Sequence, residues 1–293
     1  MPEDSVSSDA RLRINRLQEL PPLPVASQRL LAILSSEDTG LAEIATAVEL
    51  DPALAARIIG VARSAFFGNT ATIFSVKDAI IRVLGLDMVR SLGLSISLGD
   101  ALSYERARGF DGRHYWTNAL LTADMARYLA SRVTLDDSPP AEPSYLCGLL
   151  HGLGLPALAH LFPAELTLAM DAAGSTPVWR RAEYERQWLG IDHHVAGGWL
   201  ARRWHLPEEV ALTMEHYHEA DYRGPSWPTV LLVGACARWS EWRQTEGPDL
   251  PPFVAADLHT LGIPAHNVAT ITAAFERKYE QTLTMAATLA REG

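Results

Sequence analysis

At 293 residues the chain is about twice a typical domain in length, which points to two lobes or one large domain. Hydrophobic residues are 48% and charged residues 20%, which excludes a disordered chain. With 25 basic and 35 acidic residues the net charge is −10, which argues against whole-surface attraction to DNA, RNA or an anionic membrane. Residues 1–10 are polar and acidic, unlike a signal peptide, and residues 1–16 read as a disordered start. From Leu17 the pattern is helical. Leu41, Ile44, Ala45 and Val48 recur at the spacing of one helical face. Asp51-Pro52 then predicts a fresh start, with Asp51 as N-cap and Pro52 at the first helical position. Leu54, Ile58, Ile59 and Val61 give that helix its apolar face. The run Ser75-Val76-Lys77-Asp78 resembles a capping box, with Asp in place of the usual Glu. Gly85 predicts a stop, and Asp87 a cap for a helix reaching Leu98.

After a break at Gly109–Gly112, residues 115–131 are helical in pattern, and 136–143 form a loop by composition. Tyr145 to Leu150 is apolar, and the next stretch is interrupted by Gly152, Gly154 and Pro156. Further predicted helices are 177–189, 193–204, 207–218, 229–243 and 267–290. Strict strand alternation is missing, so the expected fold is all-α. It divides into lobes of about 17–105 and 106–245 and a C-terminal helical extension at 246–293. Two cysteines, Cys147 and Cys236, sit in apolar runs and read as reduced, buried thiols. No apolar stretch reaches the roughly 20 residues of a membrane helix. A cytoplasmic protein without membrane attachment is the expectation.

Several segments occur in a telling order. Leu20-Pro21-Pro22-Leu23-Pro24 leads into a helix, followed by Asp51-Pro52-Ala53-Leu54, Ser64-Ala65-Phe66-Phe67-Gly68, Ser75 to Ile80, and Leu84-Gly85. In the second half come Gly148-Leu149-Leu150-His151 with Gly154, Asp192-His193 through Gly197, and Trp204-His205-Leu206-Pro207. This succession resembles the HDOD family over roughly residues 20 to 220. Arg63 departs from it, since the family usually has Asn before the Ser-Ala pair. The resemblance implies a helical N-terminal bundle packed on an HD-like helical lobe. HDOD proteins are relatives of HD and HD-GYP metal-dependent phosphohydrolases that have generally lost the metal site. They act in bacterial signal transduction, often beside cyclic-di-GMP or two-component modules.

The same resemblance places the ligand positions of the HD enzymes. The first His falls on Asn118, the His-Asp pair on His151-Gly152, a further His on His193, a His-His pair on Tyr217-His218, and the closing Asp on Cys236. Hydrolysis by these enzymes needs His and Asp ligands around a divalent metal that generates hydroxide near neutral pH. Here Gly152 and Cys236 remove both carboxylates. The expectation is therefore no catalysis, no cofactor and no metal. A groove lined by Asn118, His151, His193, His218 and Cys236 is expected instead, able to accept a small ligand. The expected partners are separate signalling proteins, with a homo-oligomer open as an alternative. The extension, with Ile271, Phe275, Leu283 and Leu289, would supply an interface or clamp the N-terminal lobe.

Two rivals are carried. A residual phosphohydrolase or phosphodiesterase acting on a nucleotide would bind metal through His151, His193 and His218. A DNA-binding regulator would use the helix pair 41–50 and 51–62, but that pair offers Arg57 and Arg63 among apolar residues and reads as core packing. Neighbouring residues on a helix point about 100° apart, so His193 and His194, like His216 and His218, should divide between pocket and solvent. Lone His160 reads as a hydrogen-bonded residue beside the core. The eight tryptophans, including Trp199, Trp204, Trp239 and Trp242, read as packing. No GxSxG, Walker or GxGxxG pattern occurs.

Overall fold

The computed structural model describes residues 20–34, 40–64, 73–174, 176 and 178–290. The predicted disordered start and the segment Ala65 to Gly68 lie outside them. Among the described residues the regular structure is helical and no strand forms. The N-terminal part holds α1 (Val25–Leu34), α2 (Leu41–Glu49), α3 (Pro52–Ala62), α4 (Val76–Ala79), which runs into a π turn at Ile80–Leu84, and α5 (Leu86–Asp100). Asp51 caps α3 as its sequence predicts, its carboxylate accepting from the Ala53 and Leu54 amides. The capping box at α4 is complete: Ser75 Oγ accepts from the Asp78 amide, and Asp78 accepts from the Ser75 amide. Asp87 does not cap α5. Gly85, at φ 77°, ends the π turn and begins α5 one residue on, a conformation that favours glycine. Asp87 instead lies in the first turn and pairs with Arg90 at 3.3 Å.

The second part holds α6 (Gly112–Ala130), α7 (Ala141–Leu150), α8 (Gly154–Leu161), α9 (Pro163–Ala173), α10 (Val178–Leu189), α11 (His193–Arg203), α12 (Glu208–His216) and α13 (Trp227–Thr245). Asp111 caps α6 through the Arg113 and His114 amides, which starts that helix earlier than its apolar pattern suggests. Helix α7 starts inside the expected 136–143 loop, α8 forms through the stretch read as interrupted, α9 and α14 (Pro252–Thr260) were not predicted, and α15 (Val268–Leu289) is the last helix. Pro177, the predicted start of α10, lies outside the described residues.

Leu54, Ile58 and Val61 of α3 are fully buried, so the apolar face of α3 is core, and Arg57 is engaged by Asp100 and the Leu289 carbonyl. The extension is neither a free tail nor a separate layer. Helix α15 packs on both α3 and α6 and places Ile271, Phe275, Met285, Ala286 and Leu289 in the same core cluster as Leu54 and Leu120. Leu283 is only half-buried. The Trp239 indole lies flat on Phe275, with centroids 3.9 Å apart and planes 5° apart. Such an aromatic pair adds about 0.5–1.5 kcal/mol beyond its buried area. Trp204 is buried too, its indole N–H donating to the Pro21 carbonyl at 3.1 Å.

Candidate functional site

Several chain segments meet around a cavity of about 180 Å³ in the second lobe. Its polar walls are His114 and Asn118 of α6, His151 beyond α7, Arg181 of α10, His193 of α11, Tyr217 beyond α12 and Glu241 of α13. Phe110, Tyr115, Leu155 and Met170 form the apolar side.

Two backbone approaches fix this geometry. A Cβ at Gly154 would fall 1.8 Å from the His193 carbonyl oxygen, so only glycine lets α8 sit against the start of α11. A Cβ at Gly234 would fall 2.1 Å from the Tyr217 carbonyl oxygen, so α13 receives that carbonyl in a notch. Asp192 caps α11 by accepting from the His194 and Val195 amides, each at 3.0 Å, and sets the direction of His193.

His193 is held at both ring nitrogens. Buried Glu185 accepts from its backbone amide at 2.8 Å and from Nδ1 at 2.6 Å. Nε2 meets the Tyr217 hydroxyl at 3.1 Å. Burial alone would lower the His193 pKa, but the charge and hydrogen bond of Glu185 outweigh it and raise it. In His151, Nδ1–H donates to the Gly148 carbonyl at 2.6 Å, and the Tyr217 ring lies edge-on at 4.8 Å. Burial lowers the His151 pKa to about 4, so this imidazole is neutral near pH 7. His114 sits 3.0 Å from both oxygens of buried Glu241. Burial there works downward, yet the Glu241 contact and charge win and raise the His114 pKa.

The fate of the sequence candidates is mixed. Asn118, His151 and His193 line the cavity together. His218 does not; its ring stacks on His194 at 3.7 Å, to one side of the cavity. The physical reason is that His194 is buried rather than solvent-facing, so His218 covers it. His193, His194 and His218 form a column of rings, against the expected division between pocket and solvent. Both His194 ring nitrogens are buried and make no hydrogen bond of normal geometry. Burial, with the neighbouring charges of His193 and His218, pushes its pKa well down. Cys236 is not on the cavity wall but fully packed in the apolar core, where burial raises its thiol pKa. His160 behaves as expected, its Nδ1 accepting from the Ser103 amide at 3.0 Å.

Sequence reasoning missed His114, Arg181 and Glu241 and gave Tyr217 no role. One signal was available: Gly234, Arg238 and Glu241 stand at i, i+4 and i+7, one face of a helix. Tyr217 also stands directly beside the candidate His218.

Histidines that bind metal typically donate their second nitrogen to a carboxylate or backbone carbonyl. His193 and His151 keep that support, to Glu185 and Gly148 respectively. The ligands themselves do not fit a metal. Gly152 carries no side chain, Cys236 is in the core, and Tyr217 occupies the open nitrogen of His193. Among the described residues no group of three or more His, Cys, Asp or Glu could hold a metal ion.

The HDOD domain family model matches residues 20–220. The chain belongs to the HDOD family. A crystal structure of a Marinobacter aquaeolei VT8 protein, named for signal transduction, shares 27% identity and a TM-score of 0.81, over 99% of this HDOD chain and 66% of that one. An uncharacterized protein of Treponema pallidum (strain Nichols) is 27% identical over 223 residues, 76% of this chain and 42% of that protein. The chain thus spans less than two thirds of either relative's length. A Shewanella amazonensis SB2B protein named as a phosphohydrolase has a TM-score of 0.76 over 95% of this chain and 98% of its own. At 22% identity that likeness is one of HDOD fold alone. No single helix among the described residues is long and apolar enough to cross a membrane.

Proposed function

We propose that this HDOD protein is a non-catalytic regulator in bacterial signal transduction. It acts by binding other signalling proteins, and its former metal site serves as a small-ligand pocket. The observation that carries the reading is Tyr217: its hydroxyl lies on His193 Nε2, the nitrogen a metal would need, beside a Gly152 that offers no carboxylate. Cavity size supports it. About 180 Å³ lies below the roughly 300 Å³ at which pockets for drug-sized ligands begin. It is close to the roughly 150 Å³ that holds benzene in an engineered apolar cavity. A small polar molecule fits; a nucleotide held whole within these walls does not. Asn118, Arg181 and neutral His151 would orient the ligand, and Phe110, Leu155 and Met170 would cover its apolar side. The signalling name of the Marinobacter relative points the same way.

The test is the metal content of protein purified without chelator or nickel resin, measured by elemental mass spectrometry. The expected result is under about a tenth of an equivalent, against the full occupancy of a catalytic zinc site. Near one equivalent of zinc, manganese or iron would overturn the non-catalytic reading and make phosphodiesters the substrates to screen.

A further inference from the structure

We propose that Arg238 and Asp257 are positioning residues that hold Tyr217 over His193, so that the C-terminal extension governs access to the pocket. Arg238 forks between two partners. Its Nη1 donates to the Tyr217 carbonyl at 2.7 Å and its Nη2 to Asp257 at 2.6 Å. Both side chains are nearly buried. Asp257 belongs to α14, beyond the matched residues 20–220, and Tyr217 lies within them.

The connection is continuous. Asp257 orients the guanidinium, the guanidinium grips the Tyr217 carbonyl, and the Gly234 notch leaves that carbonyl no room to shift toward α13. The hydroxyl at the other end of Tyr217 then meets His193 Nε2. Glu241, one turn beyond Arg238 on the same face of α13, pairs with His114 across the cavity. The opposite face of α13 is held by the extension as well, through Trp239 on Phe275 and Arg243 on Glu276 at 2.9 Å. One helix therefore carries pocket wall on one face and is gripped by the extension on both. An arginine suits this role because its planar fork can serve two acceptors at once. The inference deepens the pocket reading and rests on it for its purpose, but not for its test.

The test uses the full chain and a brief pulse of diethylpyrocarbonate, which acylates accessible neutral imidazole nitrogens. Modification of His193 is read by peptide mass spectrometry and normalised to exposed His205 and His266. In the wild type His193 should react slowly, with Nδ1 held by Glu185 and Nε2 covered by Tyr217. Asp257→Ala should raise its relative rate at least about fivefold, the low end for coupled sites. Asp257→Asn, which keeps an acceptor, should raise it less. If Asp257→Ala does not fold, Arg238→Lys serves instead: it keeps a charge for Asp257 but loses the fork, and should also raise the rate. Tyr217→Phe should raise it alone, and Asp257→Ala should add little on top, as expected for residues acting through one another. Met285→Ala, a core truncation in α15, should leave the rate at the wild-type value. Wild-type reactivity in the folded Asp257 and Arg238 variants overturns the proposal, as does an equal rise in Met285→Ala. Failure to find a small ligand would undo the pocket reading but would not alter these rates.

Discussion

His151 is neutral in the fold because it is buried, and this has a pH consequence of definite sign. Its pKa is about 4 in the native protein and near 6.5 in an unfolded chain. Its stabilising contribution is complete above about pH 6.5 and is lost as pH falls toward 4. His194 and His218 are also lowered, in both cases chiefly by burial, and act in the same direction. His114 and His193 act oppositely: their raised pKa values add stability that is complete below about pH 6.5 and lost as pH rises through the native values. Each tenfold change in proton affinity is worth about 1.4 kcal/mol, so His151 alone should cost on the order of 2 kcal/mol at pH 5. His151→Gln removes the titrating group, and its melting temperature should fall less between pH 6.5 and 4.5 than that of the wild type. An unchanged slope would assign the acid loss to other groups.

Helix placement was legible where the signal is local. Asp51 and the Ser75–Asp78 box cap their helices as read, because a cap depends only on the next three residues. Helix α14 was not predicted, although Pro252 sits at its first position, where a missing N–H costs nothing. His151 and His193 were found because each stands in a local motif with a family likeness. His114, Arg181 and Glu241 were not, because they come from three helices that only tertiary packing brings together. The tightest backbone approach at the pocket is between α8 and α11. Gly154→Ala would put a methyl 1.8 Å from the His193 carbonyl, and the helices must separate. Urea unfolding should show a loss of about 3 kcal/mol or more, the upper range for overpacking. Gly152→Ala meets nothing nearer than the Tyr115 ring at 3.5 Å and should stay within about 0.5 kcal/mol of wild type. Equal losses at the two sites would refute the close-contact account.

Over the whole molecule, α15 ties the parts together. Arg57 of α3 donates to the Leu289 carbonyl, and Lys278 pairs with Asp124 of α6, so one helix grips both lobes. Calorimetry should accordingly give one transition with matching calorimetric and van't Hoff enthalpies. Two resolved transitions would show that the extension unfolds by itself. The sequence suggested either an interface or a clamp for this helix; its apolar face is spent inside the chain. The backbone contacts at Gly154 and Gly234 have a further consequence for descent. Shape at the pocket is set in part by main chain meeting main chain, while Asn118, Arg181 and Met170 present their side chains to the cavity. Such walls can be rewritten by mutation without unfolding the protein. A recess framed in this way can take new side chains, so related sequences should diverge fastest at Asn118, Arg181 and Met170 and slowest at the two glycines.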